Sequence, residues 1–222
     1  MNTWMKCCVA LAAALLSAQA SAQGVPAQPS DPVRYWGAHA GVNTLKDLDA
    51  QVDFGFGTPR SGHADLDRGV HGGLMVGRQS EHLRYELEYE TGRIEIERLT
   101  LAPLSQAVNG KGRYHALFAN AYRTDRLSER IDSFVGGGIG WGRVKLPLLG
   151  LGANCNCFGP ASKSGFAWQL RAGLGYRVSE QASVSLQYTW LGLPRPEAEG
   201  PPGIRYDRKR FGAVTLGYSR QF

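Results

Sequence analysis

The sequence predicts an all-β chain: an eight-stranded antiparallel transmembrane β-barrel, an up-and-down meander with short periplasmic turns and long extracellular loops. Three observations predict it. The chain opens with the layout of an export signal. Apolar and polar residues then alternate with a period of two, in segments about as long as a tilted strand needs to cross a bilayer. The gaps between those segments alternate between long and short.

Residues 1–22 read as a signal peptide. Lys6 is the lone positive charge before an apolar run from Cys7 to Leu16, and Ala20-Ser21-Ala22 is an A-x-A cleavage site. The run is too short for a spanning helix, which needs about 20 residues. Cys7 and Cys8 stand at its start, where a lipid-modified cysteine does not fall. Residues 23–32, rich in Pro, Ala and Gln, read as a flexible periplasmic tail, and residues 33–222 as the barrel domain. Without Lys6 the chain carries 24 basic and 19 acidic residues. An exported chain rarely meets nucleic acid, so the partner of that charge is sought in the phosphate-bearing lipid of the cell surface. A mean hydropathy of −0.27 does not argue against a membrane barrel, because only every second strand residue meets lipid.

The eight segments follow in order. The first, about 35–44, is uneven. In the second, Val70, Leu74 and Val76 alternate with Gly69, His71, Gly73 and Gly77. The third is the sharpest: Leu83, Tyr85, Leu87 and Tyr89 take one face and Arg84, Glu86, Glu88 and Glu90 the other, a split a helix would scatter. Ile94 and Ile96 then carry the apolar parity to the opposite face, which predicts a β-bulge near Gly92. The fourth, about 113–124, leaves its lipid-facing parity open, since Phe118 and Tyr122 share a face with Asn120. The fifth sets Val135, Ile139 and Trp141 against Phe134 and glycines 136, 138 and 140. The sixth sets Phe166, Trp168, Leu170, Leu174 and Tyr176 against Gln169, Arg171, Gly173 and Gly175. The seventh sets Val184, Leu186, Tyr188 and Trp190 against Ser183, Ser185, Gln187 and Thr189, and the eighth sets Val214, Leu216, Tyr218 and Phe222 against Ala213, Thr215, Gly217 and Ser219.

The gaps 45–67, 95–112, 146–164 and 193–208 are long and rich in Gly and Pro, whereas 79–82, 125–131 and 177–181 are short. Both termini then fall on the short-turn side. A closed sheet is required because lipid offers no partner to an unpaired backbone group. An eight-stranded lumen is just wide enough for side chains to fill it. Arg84, Glu86, Glu88, Glu90 and Arg171 are the expected interior charge cluster, cross-linked or wetted because a lone buried charge is costly.

Val214, Leu216, Tyr218 and the terminal Phe222 resemble the carboxy-terminal signature read by the barrel-assembly machinery, with Arg220 departing from it. The stretches 114–122 (YHALFANAY), 134–142 (FVGGGIGWG) and 168–176 (WQLRAGLGY) resemble small outer-membrane β-barrel proteins, the porin-like surface proteins of the Opa, OmpX and OmpA types. That resemblance implies an eight-stranded barrel in the outer membrane with exposed loops and roles in adhesion, antigenicity or envelope integrity. It supplies no catalytic residues, cofactor or metal.

The remaining constellations are read against plainer alternatives. Arg205, Arg208, Lys209 and Arg210 could meet lipid or lipopolysaccharide phosphates, or form a solvated charge run. Cys155 and Cys157 are a disulfide candidate in an oxidising compartment, although one intervening residue makes a tight ring. His63, Asp65 and Asp67 could hold a cation, but a solvated acidic loop is the commoner case. Glycines 136–140 open no helix, so they are no phosphate loop. The favoured function is a non-enzymatic surface barrel acting through its loops on host or surface molecules. The alternatives are a lipid-modifying enzyme, which needs a set such as Ser105 with His115 near one rim, and a narrow channel.

Overall fold

The computed structural model describes residues 32–44, 48–55, 57–151, 155–158, 160–198, 203–206 and 210–222. The expected signal peptide and nearly all of the expected tail lie outside the described residues. The described residues are all-β. Eight strands form the wall: β1 (Val33–Thr44), β2 (Gly69–Gln79), β3 (Leu83–Leu101), β4 (Leu104–Arg126), β5 (Ile131–Leu146), β6 (Ala161–Arg177), β7 (Ala182–Gly192) and β8 (Arg210–Gln221). Each pairs antiparallel with its neighbours in sequence, and β8 returns to β1 from Tyr35↔Gln221 to Thr44↔Gly212. The ring therefore has no edge, and every strand finds backbone partners on both sides.

The lipid-facing parities read from the sequence are those of the wall. Leu74, Leu87, Ile139, Trp141, Phe166, Leu170, Leu186 and Leu216 all stand outward. The open parity of β4 is decided as well: Phe118, Asn120 and Tyr122 point inward, while Leu117, Ala119 and Ala121 stand outward. On β1, Tyr35, His39 and Asn43 point inward.

The three short turns share one construction that periodicity does not reveal. Each is a Ser-Glu-X tripeptide, and the N–H of Ser80, Ser128 or Ser179 donates to the carbonyl of the residue three further on. At Ser128 and Ser179 the hydroxyl oxygen accepts a backbone N–H in return, as serine turns do.

The long loops differ from expectation. They are largely strand: β3 and β4 run on for 19 and 23 residues and meet in a hairpin at Leu101↔Leu104. Residues 48–53 and 60–67 of the first loop form a hairpin that pairs with outer β3, and residues 203–206 of the fourth loop pair with 48–53. The third loop contributes a small hairpin of 149–151 with 155–158.

The bulge expected near Gly92 is absent. Glu86, Glu88, Glu90, Gly92, Ile94 and Ile96 continue on one inward face, and the register shift falls between Ile96 and Arg98. The environment changes there, and the strand parity does not. Below Gly92 the outside is lipid and the inside polar. Above it the outside is water and the inside a dry core, so the apolar residues move to the inward face. Ile94, Ile96, Leu99, Leu101, Val52, Ala64, Phe158, Leu193, Ile204 and Tyr206 form that core, with contributions from all four long loops.

Candidate functional site

Two stacked layers fill the lumen. The lower is the charge cluster, built around Glu88 of β3, whose side chain is 0% exposed. Glu88 Oε1 accepts from Arg171 Nη2 of β6 at 2.7 Å. Its Oε2 accepts from Asn120 Nδ2 of β4 at 2.6 Å and Gln169 Nε2 of β6 at 2.8 Å. Arg171 also donates from Nε to Thr189 Oγ1 of β7 and from Nη2 to Gln169 Oε1. The carboxylate thus ties β3, β4 and β6 together, and the guanidinium extends the network to β7. The Glu88 carboxylate at the centre is fully paired, whereas Arg171 Nη1, Glu86 Oε2 and both ring nitrogens of His39 are buried without a hydrogen-bond partner among the described residues, so the interior is cross-linked but not wholly satisfied.

Glu86 and Glu90 branch from this centre. Glu86 Oε1 accepts from Tyr35 OH of β1 at 2.6 Å and lies 3.2 Å from Arg84 Nε. Arg84 in turn stacks over the rings of Tyr122 and Phe134, 4.6 and 4.3 Å from their centroids. Glu90 Oε1 accepts from Tyr114 OH at 3.0 Å. The five charged residues expected inside are therefore inside, each near at least one of the others. Reasoning from sequence placed Gln169 and Thr189 on the polar faces without naming them as partners of the charges, and it missed Tyr35 and His39 of β1 with Tyr114 and Asn120 of β4. The uneven parity of β1 hid Tyr35 and His39.

Glycines open the space. A Cβ at Gly138 would lie 1.8 Å from Asn120 Oδ1, and one at Gly92 would lie 2.4 Å from the Tyr114 ring. The glycine run of β5 therefore seats the large inward side chains of β4.

His39, Glu88 and Glu90 present three donor atoms within 4.8 Å of one another, the geometry of a cation site. The chain supplies the cation itself: Arg171 Nη2 lies 2.7 Å from Glu88 and 3.8 Å from Glu90. The upper layer, the apolar core of the loops, closes the lumen above this network.

Ser105 and His115 are not brought together. Both lie on β4, ten residues apart and hence about 30 Å at the strand rise. Ser105 bonds Thr100, and His115 faces outward and bonds Tyr89 OH. His63 sits between Asp49 at 2.7 Å and Asp65 at 3.2 Å, and Arg98 approaches Asp65 at 3.6 Å, so this group is an exposed ion-pair network. Arg205 is exposed and lies opposite Glu197 in the fourth loop. Arg208 and Lys209 lie outside the described residues, as do the side chains of Arg210, Cys155 and Cys157. Val214, Leu216, Tyr218 and Phe222 share the outward face at the end of the chain.

The profile described as "Outer membrane protein beta-barrel domain" matches residues 8–222. The chain belongs to that outer-membrane β-barrel family. Its place is accordingly the outer membrane. Among solved structures it is similar to Neisserial surface protein A (NspA), at 14% identity and a TM-score of 0.53, covering 88% of this chain and 100% of that one. It is also similar to the outer membrane protein OprG from Pseudomonas aeruginosa, at 12% identity and a TM-score of 0.62, covering 88% and 99%. At those identities the likeness is one of fold. No curated protein sequence matches. In the frame of this family, Tyr85, Tyr89, Trp141, Trp168, Tyr176, Tyr188 and Trp190 are outward aromatics of the membrane-facing band.

Proposed function

We propose that this barrel is a non-catalytic, non-conducting surface protein that works through the β-structured rim above the membrane. One observation carries the reading: the lumen is filled twice, by the Glu88–Arg171 network and by the dry core of the four loops. A pore would need an aqueous path past both, and side chains such as Tyr114, Phe118 and Tyr206 are almost wholly buried there. The loops then serve as a rigid platform. Pairing of loop strands to β3 lowers the ordering cost of meeting a partner. The partners of this reading are outer-leaflet lipopolysaccharide, the assembly machinery during insertion, and host or surface molecules at the rim.

The test is planar-bilayer recording on the folded chain beside binding of whole cells to surfaces. No steady conductance is expected. Replacing residues 48–64 by a short linker is expected to change cell binding while heat-modifiable gel mobility persists. Stable steps on the order of a nanosiemens would overturn the reading.

A further inference from the structure

We infer that the outward face of β3, β4 and β5, just above the aromatic band, is a docking surface for the phosphates of an outer-leaflet glycolipid. The band's top row is Tyr89, Leu117 and Trp141, aligned across three strands, with Phe166 beside them. One step higher, His115 of β4 lies opposite Arg143 of β5. A further step higher, Arg93 lies opposite Arg113, and Arg113 opposite Lys145. All four basic residues, the three arginines and Lys145, are exposed, and none has an ion pair among the described residues.

Three features give this ladder its meaning. Like charges directly opposite each other across strands are destabilising, and here three stand in one row. With strands about 4.8 Å apart, Arg93, Arg113 and Lys145 fall within about 10 Å of each other, a spacing that lets one anionic headgroup meet several at once. Their height, two steps above a row that faces hydrocarbon, is the height of lipid headgroups. The acidic groups nearby, Glu95 opposite Lys111 and Asp67 opposite Glu95, lie above the ladder, on its water side. A lipid therefore meets bare positive charge from below. Arginine suits this task, since its planar fork binds phosphate through two N–H groups. The sequence did not single out these residues because they are scattered over 53 positions and only strand register aligns them.

This inference rests on the surface reading above, in which the long-loop end faces outward. The experiment titrates lipid A into zwitterionic micelles holding the folded mature chain. The variant combines Arg93→Gln, Arg113→Gln, Arg143→Gln and Lys145→Gln, all outward positions that leave both interior layers untouched. At about fivefold per basic group at an anionic surface, the apparent affinity is expected to fall by on the order of several hundredfold. A variant with Arg93→Lys, Arg113→Lys and Arg143→Lys is expected to keep most of the affinity. A matched pair at the opposite rim, Arg34→Gln with Arg78→Gln, is expected to leave it unchanged. Lipid A stripped of its phosphates is expected to bind weakly to every variant. Equal binding by the quadruple variant, equal loss from the opposite-rim pair, or tighter binding of a soluble polyanion than of lipid A would each overturn the inference. Labelling of the 101–104 hairpin on intact cells separates the two failures. An unlabelled hairpin sinks the outward orientation and the surface reading with it. A labelled hairpin beside any of those three binding results sinks the phosphate ladder alone.

Discussion

Replacing Arg171 by methionine removes the chain's own counter-charge from the barrel interior. The guanidinium is 2% exposed and makes three hydrogen bonds, to Glu88 at 2.7 Å, Gln169 at 3.0 Å and Thr189 at 3.1 Å. Without it, Glu88 remains fully buried with the Asn120 and Gln169 amides and the His39 ring 3.4 Å away, and Glu90 loses the cation 3.8 Å away. Breaking one side of a buried ion pair costs about 3–5 kcal/mol. The two retained amides keep the expected loss for Arg171→Met near the lower end, about 3 kcal/mol. Removing both charges, with Glu88→Met added, leaves no orphaned carboxylate, so the double variant is expected to be more stable than Arg171→Met alone. The assay is urea unfolding in phosphatidylcholine vesicles followed by tryptophan fluorescence, with the slope checked so that only the midpoint carries the comparison. An Arg171→Met variant within about 0.5 kcal/mol of the parent would refute the Arg171–Glu88 pairing as a support of the interior. So would a double variant whose losses simply add.

Gly138→Leu forces a side chain against Asn120, which holds Glu88, and is expected to cost about 1–3 kcal/mol in the same assay; a neutral result would mean that the lumen is looser than its contacts imply. Leu87→Arg places a charge on the lipid face between Val76 and Ala119 and is expected to cost about 2–4 kcal/mol, whereas Leu104→Arg at the outer hairpin should cost little; equal effects would misplace the membrane. Lys163 bonds Glu197, and the bond and the charge together hold the Glu197 carboxyl below the ordinary carboxylate value. A depressed folded value contributes stability above the unfolded one and loses it as pH falls through the folded one. Acidification is therefore expected to lower the amide-exchange protection factors of Ile204 and Tyr206, taken against the intrinsic rate at each pH, while the barrel stays folded, and protection that ignores acid would count against that link.

The wall was largely legible. A strand's side chains alternate strictly, and at the membrane the two environments differ as much as any two in a cell. Leu83 to Glu90 therefore announces both a strand and its orientation. Arg171 and the three glutamates could be assigned to the interior by the same reasoning. Their partners on β1 and β4 could not, because Tyr35, His39 and Asn120 fall on strands of uneven or undecided parity until register sets Tyr35 against Glu86 and the other two against Glu88. The reversal at Gly92 was visible and misread. Alternation reports which side is apolar, and a bulge and a change of medium produce the same switch.

Sequence alone determined the all-β class, the number of wall strands, and which residues meet lipid along most of them, because each follows from local period and segment length. Tertiary structure alone decided that the long loops are strands around a dry core, that one carboxylate links three strands, and that Arg93, Arg113 and Lys145 stand in a row. Those facts depend on cross-strand register. Register is fixed by hydrogen bonding between distant parts of the chain, and no window along the sequence contains it.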